Sequence, residues 1–221
     1  MSQIFRKSTC ILLAILMLFL TGCSGVKEGQ KTGEKIPVSD TYEIEGECKI
    51  FYADQDEILS MLKHGTGIVI FSWEGCPWCH KYISILNEAV QNFDTEILYY
   101  DIYEDREEDT DFYNEVVKIL EPSLDEVGAY DASGKPRIYV PDVTFVSSGK
   151  IVGHDNESSM ISEEFEDIDA ATEEYWSKVQ DNGQTSEYNL KKKLTDWCCE
   201  ICAALKEIES RGCTSCPATK D

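Results

Sequence analysis

An unbroken apolar run, GIVIFSW from residue 67 to 73, leads straight into EGCPWC and then into a helical stripe. A run this rich in β-branched and aromatic residues, with no polar alternation, fits a strand buried on both faces of a sheet. After it, Tyr82, Ile85, Leu86, Ala89, Val90 and Phe93 recur at helical spacing. Cys76 and Cys79 therefore stand where a central strand stops and a helix starts. Any fold this chain adopts must accommodate that junction.

The flanking segments supply more elements. KIFYA (49–53) reads as a strand, and DQDEILSMLKHG as a helix with an Asp54 cap, apolar Ile58, Leu59 and Leu62, and a Gly65 stop. EILYYDIYED (96–105) is predicted as a third strand, and TDFYNEVVKILEP as a helix ended by Pro122. The turn-forming DASGKP leads into RIYVPDVTFVSSGKIVGH, which reads as two strands joined through Ser-Ser-Gly-Lys. Further on, the pattern predicts a helix from about Ser162 to Val179, burying Phe165, Ile168, Tyr175, Trp176 and Val179. DNGQTSE (181–187) breaks it, and a last helix runs from about Tyr188 to Ser210 before the tail RGCTSCPATKD. Strands alternating with helices make an α/β protein with a central sheet flanked by helices.

The N-terminus bears on which chemistry the cysteines can do. Arg6 and Lys7 precede the apolar run ILLAILMLFL, which has the length of a signal-peptide core rather than of a comfortable membrane span. The run closes on Leu20-Thr21-Gly22-Cys23, which resembles the bacterial lipobox. On that resemblance residues 1–22 are removed and Cys23 carries the lipid. The polar stretch 23–41 is then expected as a flexible tether, with the domain starting near Tyr42. Loss of Arg6 and Lys7 takes the formal charge from −22 to −24. So acidic a surface repels phosphate backbones and argues against nucleic-acid binding. Export also permits disulfide chemistry, because no cytosolic reductant pool acts there.

A cysteine at a helix N-terminus feels unpaired N–H groups and the positive end of the helix dipole, which favour its thiolate. Cys76 is therefore expected to be more acidic than the roughly 8.5 of a free thiol and to be the exposed nucleophile. Pro77 suits the first turn, where a missing N–H costs little. Cys79, one turn on and facing inward, is placed to resolve a mixed disulfide formed by Cys76. The alternatives are a structural clip, whose small loop constrains the unfolded chain little, and half of a zinc site.

Strand, CPWC, helix, strand, helix and a proline-led strand pair resemble the thioredoxin fold, over roughly residues 48 to 180. The chain looks like a membrane-anchored thioredoxin-like lipoprotein, similar to the bacteriocin transport accessory group. That resemblance implies a thioredoxin-like domain at 42–180, with 181–221 as a helical, cysteine-rich extension. It implies an extracytoplasmic thiol–disulfide oxidoreductase held on the bacterial cell membrane. Cys76 and Cys79 are its catalytic pair, and its substrates are cysteine-containing proteins or peptides. Val140-Pro141 falls where the family carries a cis-proline, so Trp78, Val140 and Pro141 become the substrate-binding residues. Trp73, Glu74, Pro77 and His80 flank the motif. The position six residues before the first cysteine, which in many relatives holds a buried acid, is Ile70. Its loss implies slower resolution or another proton path, to which Glu74 or His80 would be near enough to contribute. A membrane redox partner is implied and no organic cofactor. The competing reading is a non-enzymatic binding lipoprotein that assists export of a secreted peptide such as a bacteriocin.

Cys199, Cys202, Cys213 and Cys216 make a C-x2-C-x10-C-x2-C pattern, a zinc spacing on paper. The helix formers between them argue otherwise, since eleven helical residues separate Cys202 from Cys213 by about 16 Å. Disulfides, buried thiols and an auxiliary redox pair at Cys213 and Cys216 are the other readings. Cys198 and Cys202 share a helix face with Leu194, Ile201 and Leu205.

Overall fold

The computed structural model describes residues 35–156 and 167–209 of the 221-residue chain. Cys23, Phe165, Cys213 and Cys216 lie outside the described residues. Five strands, β1 (Ile50–Tyr52), β2 (Gly67–Ser72), β3 (Ile97–Asp101), β4 (Asp142–Ser147) and β5 (Lys150–Asp155), form one mixed sheet ordered β1-β3-β2-β4-β5. The β1–β3 and β2–β3 pairs are parallel, and β2–β4 and β4–β5 are antiparallel. The helices are α1 (Ser39–Tyr42), α2 (Gln55–His64), α3 (Pro77–Val90), α4 (Tyr103–Glu108), α5 (Asp111–Val127), α6 (Ile168–Ser177) and α7 (Ser186–Glu209).

The central strand explains its own composition. All six residues of β2 are buried, and alternate side chains enter two separate cores. Ile68 and Ile70 pack with α3, α6 and α7, whereas Val69 and Phe71 pack with α2 and α5. A strand covered on both faces has no polar side to show, hence the uninterrupted apolar run. Helix α2 starts on a reciprocal cap: Asp54 accepts from the Glu57 amide at 2.9 Å, and the Glu57 carboxylate accepts from the Asp54 amide at 2.8 Å. Asp54→Ala should cost about 1 kcal/mol and lower Tm by roughly 2–4 °C in a thermal melt. An unchanged melt would mean that this cap does not hold the helix.

Several boundaries differ from the sequence reading. The fold begins before Tyr42: Val38 is fully buried, its amide donates to Ile50 O, and the Tyr52 amide donates to Ile36 O. Residues 35–41 therefore belong to the domain rather than to a tether, because one apolar Val38 and backbone pairing suffice to seat them. The strand expected over 96–105 ends at Asp101, whose carboxylate accepts from the Tyr103 amide at 3.1 Å and starts α4. Helix α5 runs past Pro122 to Gly128, which is left-handed at φ 71°. Buried Leu120 and Leu124 hold both sides of the proline against α2 and the sheet, so packing overrides the break. In α6 only the Trp176 part of the expected apolar face is buried; Ile168 and Val179 are exposed, and Thr172 takes an inward position.

Helix α7 is the largest departure. Leu190, Leu194, Cys198, Ile201 and Cys202 are buried in the same core as Ile70, Cys79 and Tyr82. Gly153 lets it approach the sheet, since a Cβ there would lie 2.6 Å from the Trp197 ring. The boundary placed between 180 and 181 thus cuts through continuous packing, and the described residues form one compact unit. Among the described residues no helix is long and apolar enough to cross a membrane.

Candidate functional site: the Cys76–Cys79 pair and the cis-proline loop

Strand β2 ends at Ser72, and Trp73-Glu74-Gly75 carries the chain to Cys76, the N-cap of α3. The Trp73 ring stacks on Tyr103, with centroids 4.7 Å apart, and folds back over Gly75. A Cβ at Gly75 would meet that ring at 2.6 Å, so a side chain there would displace Trp73 from its present position. Pro77 occupies the first helical turn, as its lack of an N–H allows. The Cys79 amide donates to Cys76 Sγ at 3.2 Å, as a helix start does for a capping acceptor. The two sulfurs lie at disulfide distance, with Cα atoms 5.2 Å apart.

The two cysteines are not equivalent. Cys76 keeps 7% of its surface and Cys79 none. The asymmetry has the expected direction, but Cys76 is far less open than the sequence reading has it. Opposite it, the Val140–Pro141 peptide bond is cis, and Val140 O lies 3.9 Å from Cys76 Sγ. Pro141 is buried and Val140 half-buried. One helix start and one loop therefore converge on a single sulfur.

The flanking residues do other work than sequence reasoning expects. Trp78, expected on the substrate surface, is only 9% exposed and packs edge-on against Tyr175 at 5.3 Å. His80 donates from Nε2 to the Glu74 carbonyl at 2.8 Å and lies against Tyr42, 4.8 Å between centroids. Its ring is thus spent tying the motif's entry to α3. The Glu74 side chain accepts from Tyr52 OH at 3.4 Å. Tyr42 OH shares hydrogen bonds with Ser72 and Tyr99, and burial pushes the Tyr42 hydroxyl well above the ordinary tyrosine range. A cleft of about 570 Å³ opens beside the motif, lined by Tyr42, Glu74, Gly75, Pro77 and His80 among others.

The Ile70 position is fully buried and apolar, but the same core holds a carboxylate from elsewhere. Asp155, at the end of β5, is 2% exposed. It accepts from Tyr82 OH at 2.9 Å and pairs with Lys193 of α7 at 2.6 Å. On the other face of the sheet Asp142, which follows Pro141, pairs with His154. Sequence reasoning missed these groups: an Asp at the end of a strand pattern looks like a solvent-facing position. Only the pairing of β4 with β2 and β5 buries it.

Of the C-terminal cysteines, the described Cys198, Cys199 and Cys202 lie well along α7 from the end that meets the motif. Lys81 pairs with Glu187 at 3.5 Å and Glu88 with Lys191 at 2.7 Å, so α7 runs alongside α3 in the same direction. From Glu187, Cys199 lies about 18 Å further along the helix. Cys198 and Cys202 are buried apolar positions. Among the described residues no group of three or more His, Cys, Asp or Glu is placed to hold a metal ion. Neither a family model nor a curated protein matches the chain.

Proposed function

We propose that the chain is a thioredoxin-like thiol–disulfide oxidoreductase acting on cysteine-containing proteins or peptides. One observation carries the reading: the more exposed cysteine, Cys76, caps a helix, its partner lies at disulfide distance, and the Val140 carbonyl of the proline loop faces Cys76 Sγ at 3.9 Å. A structural clip needs the first two features and has no use for the third.

In the reducing direction the Cys76 thiolate attacks one sulfur of a substrate disulfide. A Cys76–substrate disulfide forms, and the other substrate sulfur leaves as a thiolate. Cys79 then loses its proton and attacks Cys76 Sγ, which closes the Cys76–Cys79 disulfide and frees the second substrate sulfur. Two electrons pass from the pair to the substrate, and the oxidising direction is the reverse. The Cys79 amide at Cys76 Sγ and the N-terminus of α3 favour the thiolate at Cys76. Val140 and Pro141 present backbone beside it, where an extended peptide would add as a strand. The assay is exchange of reduced protein with a cysteine-bridged peptide, which the wild type catalyses and Cys76→Ser does not. Equal rates for the two proteins would remove the proposal.

The same reading places the protein outside the cytoplasm, lipid-anchored through Cys23 and recharged by a membrane redox partner. Cys23→Ser should abolish lipidation and release the protein into the soluble fraction, since the sequence beyond it offers no second apolar hold. Retention of that variant in the membrane fraction would contradict the anchor. The low exposure of both sulfurs favours a second reading, a binding lipoprotein that assists peptide export without redox turnover. Undiminished export in a Cys76→Ser strain would support it.

A further inference from the structure

Asp142 is fully buried and carries a carboxylate one residue after cis-Pro141. Water does not reach it, so the charge has to be met by the protein. Three groups converge on it: His154 Nε2 at 2.9 Å, Asn156 Nδ2 at 3.4 Å and Thr144 Oγ1 at 3.5 Å. His154 sits across from Thr144 in the β4–β5 ladder, and its side chain is 6% exposed. On the other side Asp142 pairs with Phe71 of β2, the strand that runs into the redox motif. The carboxylate thus ties the start of β4 to β5 at the point where the chain leaves the proline loop. Two residues upstream, Val140 O faces Cys76 Sγ at 3.9 Å. Nothing in the redox cycle uses Asp142 or His154, and a buried acid–imidazole pair is a costly thing to keep for packing alone.

We infer that Asp142 is a positioning residue, with His154 as its charge partner: the pair holds the Val140–Pro141 loop against Cys76, and the loop's grip follows the ionisation of His154. The inference rests on the oxidoreductase reading only in taking Cys76 as the reactive sulfur. Burial alone lowers the proton affinity of His154. The charge and hydrogen bond of Asp142, with the charges of Asp155 on β5 and Glu126 on α5, more than offset it and raise its pKa above 6.5. Lys193 offsets part of the Asp155 charge. The second ring nitrogen, Nδ1, is buried with no hydrogen-bond partner among the described residues, so the Asp142 carboxylate is the hydrogen-bonded group that keeps the proton on the His154 ring. The sign follows: the charged pair is complete below the unfolded value of 6.5 and is lost as pH rises through the raised folded value. The loop is therefore held most firmly on the acid side.

The test is the rate at which iodoacetamide alkylates Cys76 in the reduced protein, followed by peptide mass spectrometry from about pH 5 to 10. The wild-type profile should show a step beyond the thiol's own ionisation, coincident with the His154 ring titration seen by NMR. Asp142→Asn keeps the shape and removes the charge; His154→Gln keeps a donor and removes the titration. Both should flatten that step and change the rate on its acid side by on the order of tenfold. A purely structural role would lower Tm and leave the step in place. Superimposable profiles in the folded variants would overturn the inference. Should a variant fail to fold, the wild type still decides, because a single-step profile while His154 titrates would overturn it equally. None of this needs turnover, so failure of peptide exchange would remove the oxidoreductase reading and leave this coupling standing.

Discussion

Replacing Cys79 by Ser is expected to turn the reduced protein into a trap. Cys76 would still attack a substrate disulfide, because its surroundings at the helix cap do not depend on the Cys79 side chain: the contact is from the residue 79 amide. The mixed disulfide would then persist, since the sulfur paired with Cys76 among the described residues is gone. Non-reducing electrophoresis of cells expressing the variant should show adducts that collapse on reduction, with substrate attached to Cys76 by mass spectrometry. Cys76→Ser should give none and lose exchange activity by at least ~10³-fold, as removal of an attacking group does elsewhere. The difference in exposure argues for this order, because Cys79 has no surface through which to meet a substrate. Equal trapping through Cys79 in the Cys76→Ser protein would reverse the assignment.

Truncation after Gln184 carries the second large effect. The lost segment contains α7, and Leu190, Leu194 and Ile201 are among its buried side chains. Those three alone contribute roughly 5–9 kcal/mol of burial, comparable with the whole stability of an ordinary domain at about 5–15 kcal/mol. The Asp155 carboxylate would also lose Lys193. The truncated chain should therefore lack a cooperative thermal transition and bind a hydrophobic dye, with Cys76 no longer distinguished from the other thiols in reactivity. A sharp melt with an intact Cys76 would show that α7 is dispensable. A milder probe of the same packing is Leu194→Ala, which should cost about 2–5 kcal/mol in denaturant unfolding.

Local signals located the site, and long-range pairing completed it. The junction at Cys76 was readable because two patterns meet there: the unbroken β2 run and the 3.6-residue stripe of α3. Pro141 was singled out by the resemblance to a cis-proline position, with the strand pattern after it in support. Pro122 misled for the opposite reason, since a helix breaker read in isolation carries no information about Leu124, which docks the helix beyond it. Val38 was hidden in a polar stretch, and only its bond to Ile50 shows it as part of the fold. The amphipathic face of α7 was legible, but nothing in that periodicity says which surface it covers. Asp142 with His154 and Asp155 with Lys193 are separated by 12 and 38 residues, and no spacing rule connects such pairs.

The reduction potential of the Cys76/Cys79 couple, measured by equilibration with glutathione buffers, tests the oxidoreductase reading most directly. A pair that cycles must be reducible by its partners, so the account predicts a value above about −300 mV, within the range of catalytic dithiols. A value well below about −300 mV, resistant to the glutathione pool, would mark the pair as a structural clip and contradict the account.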